Sequence, residues 1–406
     1  MRRIRTFLAA SLVASAAAPA GAIPPPGASG CRVFPADNVW HADVSRLPVH
    51  ARSAAWLASM GGSSRRLHPD FGPSGESMPY GIPYIVVPSS HQKVSIDFEY
   101  ADESDAGPYP FGTDTPIEGD SDRHAIMIDK GTCTLYELYA AEYAPGASTA
   151  GSGAIWELGS NKLRPAGWTS ADAAGLPIFA GLVRLDEVKA GVVDHAIRIT
   201  ASQTDRSYVW PARHQAGAAH NANLPPMGAR FRLKKSFSTA GFRSDTRVIL
   251  TAMKRYGVIV ADNGSNWYFT GTAENGWNTD MLDELKTIPA GAFEAVDASS
   301  LMADPNSGRV RRGATRSAPA TPAPKPSPKK SAPNSSPAAV ASRTPAASPT
   351  PSASATPSAS VRPAVPRRIA ARPDRRSGGF GWAVAGGAAI AAALLLAAVV
   401  RRRRHD

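Results

Sequence analysis

Hydrophobic and polar side chains alternate along several segments in the middle of the chain, as they do in β-strands that bury one face. In residues 94–100, for example, Val94, Ile96 and Phe98 fall on one side, and polar side chains fall between them. Alternation, or a continuous apolar run, predicts strands over residues 82–87, 94–100, 124–129, 133–139, 195–201 and 258–260.

Helical periodicity is rarer, and its best example is residues 244–256. Ser244 is a favourable N-cap, and Gly257 is placed to end the helix. Shorter helices are predicted around residues 54–58 and 279–285. Because strands dominate and Gly and Pro punctuate the rest, the sequence predicts a mainly β (α+β) fold. It would be an antiparallel sandwich or a partly open barrel with a few peripheral helices.

The two ends of the chain differ from the middle in composition. Residues 1–22 combine arginines, an apolar run and a small-residue end, which is typical of a signal peptide. Residues 377–400 carry no charge and are long enough to cross a bilayer core of about 30 Å, and the arginines of residues 401–406 favour a cytoplasmic C-terminus. A linker rich in Pro, Ala, Ser and Thr, residues 306–376, precedes this segment. The sequence therefore predicts a single-pass protein of the cell membrane, with residues 23–305 as a secreted domain at the cell surface.

Charge is distributed unevenly along the chain. The formal net charge is +12, but +16 of it lies in residues 306–406 and +3 in residues 1–22, which leaves −7 for residues 23–305. An acidic domain argues against nucleic acid as a partner, because nucleic acid requires a basic face. The basic linker would attract anionic wall polymers or lipid headgroups, or it is only a solvated spacer.

The two cysteines, Cys31 and Cys133, both fall in the predicted domain. In an oxidising environment a pair of cysteines is expected to form a disulfide. The bridge would close a loop of roughly 100 residues and contribute about 4–5 kcal/mol in the chain-entropy model. The alternative is two free, buried thiols.

Candidate catalytic residues lie at the end of an acidic loop, residues 97–122. Asp122 and His124 are two residues apart at the start of a predicted strand, so their side chains should share a face, with Glu118 close by. This arrangement suits a general acid/base pair, or it could supply ligands to a cation such as Ca²⁺. The alternative is a solvated, hydrogen-bonded loop. We expect no other cofactor and no dedicated metal centre.

A second candidate follows the predicted strand 258–260. Asp262 stands at its end, Asn263-Gly264 predicts a hairpin turn, and Trp267 comes shortly after. The functional interpretation is a catalytic carboxylate at the rim of a cleft, with Asn263 and Trp267 binding substrate. Alternatively, Asp262 only caps the turn.

Further candidates for substrate binding are Trp168, Asp172 and His214. Aromatic faces beside polar side chains are common in sugar sites, because apolar ring faces stack while hydroxyl groups need polar partners. Large β domains also bury tryptophans for packing alone. The chain has no G-x-S-x-G, GxxxxGK[ST] or HExxH motif, which argues against a serine hydrolase of the elbow type, a P-loop nucleotide site and a zinc protease.

The block 151–188, GSGAIWELGSNKLRPAGWTSADAAGLPIFAGLVRLDEV, resembles a widespread family of exported bacterial proteins without a settled activity. The segments 34–40, 80–84, 225–228 and 261–265 are also similar to that family. The resemblance covers about residues 34–297 and implies one exported unit. It implies no catalytic residues.

Taken together, these patterns favour an enzyme that acts on polysaccharide or a cell-wall polymer. The reaction would be of the glycoside hydrolase or lyase type and would use carboxylate acid/base chemistry. The main alternative is a non-catalytic carbohydrate-binding or adhesion module displayed on a stalk. A structural wall protein with a Ca²⁺-binding loop is a third interpretation. No nucleotide partner is expected.

Overall fold

Two β-sheets form the frame of the protein, in a computed structural model that describes residues 23–74, 79–119 and 122–311. These residues belong to one structural unit. The strands are β1 His68–Pro69, β2 Tyr84–Val87, β3 Asp97–Phe98, β4 Ala125–Asp129, β5 Thr134–Tyr139, β6 Thr149–Ala150, β7 Ser152–Glu157, β8 Ile197–Ala201, β9 Arg230–Leu233, β10 Val258–Asn263, β11 Tyr268–Phe269 and β12 Phe293–Val296. The α-helices are α1 Ser53–Ser59, α2 Leu185–Ala190, α3 Ser244–Arg255 and α4 Thr279–Leu285. Single 3-10 turns lie at Val39–His41, Ala101–Glu103, Phe179–Gly181, Ala290–Ala292 and Ser299–Leu301.

The larger sheet has six strands in the order β1-β11-β8-β10-β9-β12, and the smaller has four in the order β2-β4-β5-β7. Strands β3 and β6 form a separate short pair. The predicted mainly β fold with few helices is confirmed, and the sheet is curled like half a barrel. Parallel pairs, such as β8 with β10 and β2 with β4, stand beside antiparallel ones, so the pairing is mixed. Long connections between short strands allow this mixture, because parallel neighbours need a crossover.

Helix α3 lies where its periodicity predicts it and ends before Gly257, but Arg243 is its N-cap and Ser244 its first helical residue, so the predicted capping role of Ser244 is wrong. The helix runs from Ser244 to Arg255, and Gly257 follows with φ +73°, the left-handed conformation that glycine adopts most readily. Its buried side chains include Ile249 and Met253 from the predicted apolar face. Helices α1 and α4 also lie where the sequence predicts them. Helix α2 and strands β7, β9 and β12 were not predicted.

Strand β4 is buried on both faces, although its alternating sequence indicated one exposed face. Ile126 and Ile128 pack in the main core between the sheets, whereas Ala125 and Met127 pack in a smaller core with Tyr109. The second core exists because the loops after β3 fold over the outer face of this sheet. A strand covered on both sides loses its solvent-facing positions.

Glu137 of β5 is fully buried and ties the smaller sheet to the loop that precedes the turn Phe179–Gly181. Its carboxylate accepts hydrogen bonds from Trp156 Nε1 at 3.1 Å, Ile178 N at 3.1 Å and Phe179 N at 2.8 Å. Burial raises the pKa of Glu137 to about 7, and this effect outweighs the three donors, which favour the charged form. Since the unfolded chain has a pKa of 4.5, the stability contributed by this carboxyl is present at low pH and falls as the pH rises towards 7.

The predicted disulfide between Cys31 and Cys133 is confirmed. It joins the N-terminal segment to the start of β5, across a sequence separation of 102 residues. The folded unit also continues past the predicted domain end at residue 305. Gly308 accepts a hydrogen bond from Val39 N at 2.7 Å, so residues 306–311 are part of the packed structure.

The predicted location in the cell membrane is corrected by the structure. Within residues 23–74, 79–119 and 122–311, no helix is long and apolar enough to cross a bilayer. The segments that motivated the prediction, the signal peptide 1–22, most of the linker 306–376, the apolar segment 377–400 and the tail 401–406, lie outside the described residues.

At pH 5, below the raised pKa of about 7, we expect Glu137→Gln to lower the free energy of unfolding by about 1–3 kcal/mol, because the NH₂ group of glutamine cannot accept from one of the three N–H donors. Denaturant unfolding followed by circular dichroism measures this difference. Glu157→Gln, on the exposed end of β7, is the matched control and should change stability by less than about 0.5 kcal/mol. Equal stability of the two variants would contradict the bridging role of Glu137.

Candidate functional site

A cleft of about 750 Å³ opens over the larger sheet. Its floor comes from β1, β11, β8 and β10, and its walls come from α4, the segment before β4 and the segment after β1. The described lining residues are His68, Pro69, Asp70, Phe71, Gly72, Pro73, Tyr80, Ile82, Glu118, Asp122, His124, Arg198, Thr200, Asp262, Asn263, Gly264, Ser265, Tyr268, Thr270, Thr279, Leu282, Asp283 and Lys286.

Four lining side chains form a row across neighbouring strands of the floor. His68 pairs with Tyr268, and the pairing of Phe269 with Ile199 places Tyr268 beside Thr200. Thr200 in turn pairs with Asp262. With strands about 4.8 Å apart, the row extends roughly 14 Å from His68 to Asp262. The two rings at one end are stacked, with centroids 3.9 Å apart and an angle of 13° between their planes.

Asp262 reaches this row because of a β-bulge. Strands β8 and β10 are in register from Val258 to Val260, and the register then shifts so that Asp262 lies opposite Thr200. In a regular strand, Asp262 would share a face with Val258 and Val260, which point into the core, but Ala261 is the extra residue of the bulge. The bulge therefore turns the carboxylate from the core to the cleft.

Beneath the row, Arg198 and Asp172 form a buried, bidentate ion pair. Arg198 Nε donates to Asp172 Oδ2 at 2.8 Å, and Nη2 donates to Oδ1 at 2.6 Å. Arg198 Nη1 donates to Thr270 Oγ1 at 2.8 Å, and Nη2 lies 3.8 Å from Asp262 Oδ2. Asp172 is fully buried, so its negative charge acts on Asp262 through a medium of low polarity.

The environment of Asp262 favours its protonated form. Its side chain is 22% exposed, at the floor of the cleft. Burial raises the pKa of Asp262 well above its usual range, and the charge of Asp172 raises it further. Arg198 opposes this shift but is already engaged by Asp172. The surroundings of Asp262, including a hydrogen bond with Asp172, thus favour its protonated form over its charged form.

His124 and Glu118 form a second pair in the cleft wall. The Nδ1 atom of His124 donates to Glu118 Oε2 at 2.6 Å, and the backbone N of His124 donates to the same oxygen at 3.3 Å. Burial lowers the pKa of His124, but the hydrogen bond and the charge of Glu118 outweigh burial, so the net shift is upward. Its Nε2 atom has no hydrogen-bond partner among the described residues. The hydrogen bond fixes the orientation of the imidazole ring and of the Glu118 side chain.

Two kinds of carboxyl group therefore meet in one cleft. The pKa of Asp262 is raised, whereas Glu118 accepts two hydrogen bonds from His124. Two carboxyl groups in such different surroundings suit acid/base catalysis. Asp122, which is exposed, adds a further carboxylate to the same lining.

The sequence-predicted residues fall into four groups. Glu118, Asp122, His124, Asp262 and Asn263 line the cleft, although their catalytic and binding roles stay predictions. Asp172 lies under the floor, where it holds Arg198 and is closed to substrate.

Trp168 and His214 lie outside the lining of the cleft. Trp168 packs beside the guanidinium of Arg164, with 5.5 Å between that group and the ring centroid. His214 lies 3.7 Å from a carboxylate oxygen of Glu103, which also accepts from Thr169 N at 3.0 Å. These contacts hold the loop before β8 in place, and the predicted roles of Trp168 and His214 in substrate binding stay predictions.

Trp267 is not a surface residue. It is fully buried, and its Nε1 atom donates to Met60 O at 2.9 Å, so it cannot contact substrate. The predicted Asn263-Gly264 hairpin is also wrong, because β10 and β11 lie on opposite sides of β8. The chain crosses over the end of β8 there, and the crossing carries Trp267 into the core.

Sequence reasoning missed Arg198 and the row of His68, Tyr268 and Thr200. The sequence signal for Arg198 was its position inside the apolar run of β8. A charged side chain can be buried there only if it is paired with a buried group of opposite charge. The aromatic pair had no local signal, since β1 and β11 are two-residue strands distant in sequence.

Within the part of the chain that the structure describes, no three or more His, Cys, Asp or Glu side chains form a group that could hold a metal ion. The acidic loop, the predicted location for Ca²⁺, has its carboxylates engaged separately. Asp105 pairs with Arg164, and Glu118 pairs with His124.

No protein-family profile, curated protein or solved structure matches this chain. The resemblance of residues 151–188 to exported bacterial proteins therefore stays an expectation. A functional assignment has to be argued from the geometry and electrostatics of the cleft.

We expect Asp172→Asn to lower the pKa of the Asp262 carboxyl, because the neighbouring negative charge disappears and Arg198 becomes free to pair with Asp262. Titration of ¹³C-labelled carboxyl groups by NMR measures this, with Asp262→Asn used to assign the resonance. The unaltered protein should already show Asp262 titrating above the usual range. Asp283→Asn, an exposed change in the same cleft, should leave the titration in place. An unchanged pKa in Asp172→Asn would contradict the coupling.

We also expect Asp262→Asn to raise the melting temperature at pH 7 and to leave it unchanged at pH 3. A carboxyl whose pKa is raised by folding contributes fully to stability at low pH, and that contribution is lost as the pH rises through its folded pKa. Asparagine resembles the protonated acid at every pH, so the variant does not lose this stability as the pH rises. Calorimetry at the two pH values measures the difference, and the absence of any gain at pH 7 would contradict the raised pKa.

Proposed function

We propose that the protein hydrolyses glycosidic bonds of a polysaccharide in this cleft. The observation that carries the proposal is the carboxyl group of Asp262, with its raised pKa, on the floor of a cleft whose wall holds a second carboxyl group, Glu118. Glycoside hydrolysis uses one carboxylic acid to protonate the leaving oxygen and one carboxylate to activate water or attack the sugar. Asp262 would be the acid, and Glu118, held by His124, would be the base or nucleophile.

The rest of the lining supports a sugar ligand. The stacked rings of His68 and Tyr268 offer an apolar face in line with Asp262, and Tyr80 is 62% exposed at the edge of the cleft. Sugars stack on aromatic faces and leave their hydroxyl groups to polar partners such as Thr200 and Asn263.

Hydrolysis is favoured over a lyase reaction by the charges of the cleft. A polysaccharide lyase removes a proton next to a sugar carboxylate, and that carboxylate needs a free cation. Arg198 lines the cleft, but its Nε and Nη2 atoms donate to Asp172 and its Nη1 atom donates to Thr270. Lys286, also in the lining, is paired with Asp283. Glu118 and Asp122 would repel a uronate. A neutral or amino sugar fits this lining better.

A second candidate function is a non-catalytic carbohydrate-binding module. The stacked pair of His68 and Tyr268 and the exposed ring of Tyr80 favour it, because these features serve binding with or without chemistry. The two functions differ in whether Asp262 is required for the release of products.

Incubation of the full chain with β-glucans, xylan, chitin and peptidoglycan glycan strands, followed by mass spectrometry of soluble products, tests the proposal. We expect release of oligosaccharides from one of these polymers and a loss of at least about 100-fold in rate in Asp262→Asn, the usual size of a general-acid effect. Asp283→Asn, which removes an exposed carboxylate paired with Lys286, is the matched control and should keep its rate.

If the protein binds one polymer without releasing oligosaccharides, and Asp262→Asn does not change this binding, the protein is a carbohydrate-binding module and not a hydrolase. Inertness towards all four polymers would contradict both candidate functions.

A further inference from the structure

The aromatic surface of the protein continues beyond the Asp262 end of the cleft. The floor row starts at the stacked rings of His68 and Tyr268 and ends at Asp262. Past that end, the ring of Tyr139 lies next to His124, with ring centroids 5.9 Å apart. Tyr139 is the last residue of β5 and is only partly buried. Its ring therefore follows directly on the wall of the cleft.

Gly151 connects Tyr139 to a further tyrosine. Gly151 N donates to Tyr139 O at 2.7 Å, and Gly151 O accepts from Tyr100 N at 2.9 Å. A Cβ atom on residue 151 would lie only 2.6 Å from Tyr139 Cδ1, so the ring of Tyr139 rests directly on the glycine backbone. Because no side chain stands at position 151, the Tyr139 ring packs on this buried glycine, whose backbone is hydrogen-bonded to both Tyr139 and Tyr100.

Tyr100 is 48% exposed, which is unusual for a large aromatic side chain in a domain with an extensive core. Carboxylates accompany this surface. Burial raises the pKa of the Tyr139 hydroxyl, and Asp122 raises it further, so the hydroxyl keeps its proton and can donate to a sugar oxygen. Exposed rings next to polar donors and acceptors are the features that the floor row also presents.

We propose that Tyr139, Gly151 and Tyr100 form a second sugar-binding subsite that continues the cleft past His124. A polysaccharide would then be bound on both sides of Asp262, and the enzyme would cut internal bonds of a long chain. This inference rests on the proposed function for its ligand class, because continuity with the cleft identifies the occupant as the same glycan. The inference adds which part of the protein surface binds the polysaccharide and which of the glycosidic bonds is hydrolysed.

Calorimetric titration with oligosaccharides of two lengths tests the subsite. The probes are the disaccharides and hexasaccharides of cellulose, chitin and laminarin, added to the full chain carrying Asp262→Asn so that the probes survive. We expect the hexasaccharide that binds to lose about threefold to tenfold in affinity when Tyr100→Ala is added, the range expected for one aromatic contact. The corresponding disaccharide, which is too short to reach from the floor row to Tyr100, should lose none.

Two further variants exclude indirect effects. Tyr100→Phe keeps the ring and should retain most of the hexasaccharide affinity. If the hydroxyl group had a purely structural role, Tyr100→Phe would lose as much affinity as Tyr100→Ala. Val192→Ala changes a side chain of similar exposure that does not line the cleft and should have no effect. Hexasaccharide affinity that is unchanged by Tyr100→Ala, or an equal loss for both lengths, would overturn the subsite while leaving the proposed function intact. No binding of any hexasaccharide before Tyr100 is changed would count against the proposed function itself, and the subsite would fall with it.

Discussion

The buried ion pair of Arg198 and Asp172 is the interaction on which the cleft depends. It ties the central strand β8 to the loop that carries Asp172, and it lies directly beneath Asp262. Such a pair is tolerable in a core only when its donors and acceptors are satisfied, and Thr270 accepts the remaining Nη1 donor. Because the guanidinium is committed to Asp172, it fixes the position of Asp262 without giving it a full counter-charge.

Other buried arginines stabilise the long loops that this arrangement requires. Short strands leave many loop carbonyls that must find donors inside the protein. Arg230, for example, donates to the carbonyls of Val39 and Tyr256 at 2.9 and 2.8 Å, and Arg213 donates to the carbonyl of Arg164 at 2.7 Å. Burial without a close carboxylate lowers the pKa of Arg230 to about 9. The arginines act here mainly as multi-pronged donors to backbone, a role that lysine cannot fill.

The carboxyl groups of the cleft illustrate a balance between stability and chemistry. Asp172 and Asp262 are close enough for their charges to interact, which is unfavourable unless one of them is protonated. A fold selected only for stability would not retain two carboxyl groups there. Glu137, also raised in pKa, lies close enough to Asp172 to interact with it electrostatically, but its three N–H donors give it a purely structural explanation.

Local sequence determined the parts of this protein that depend on neighbouring residues. Helix α3, with Gly257 after its end, and the strands β4, β5 and β8 follow from periodicity and capping, and the cysteine count indicated the disulfide. The sequence also singled out Glu118, His124 and Asp262, because carboxylates and histidines at strand ends are visible in a linear pattern. Only the tertiary structure decided that these residues share one cleft, since β4 and β10 belong to different sheets. It alone decided that a bulge turns Asp262 outwards while Trp267 turns into the core, because both depend on register with β8, a strand about sixty residues away in sequence.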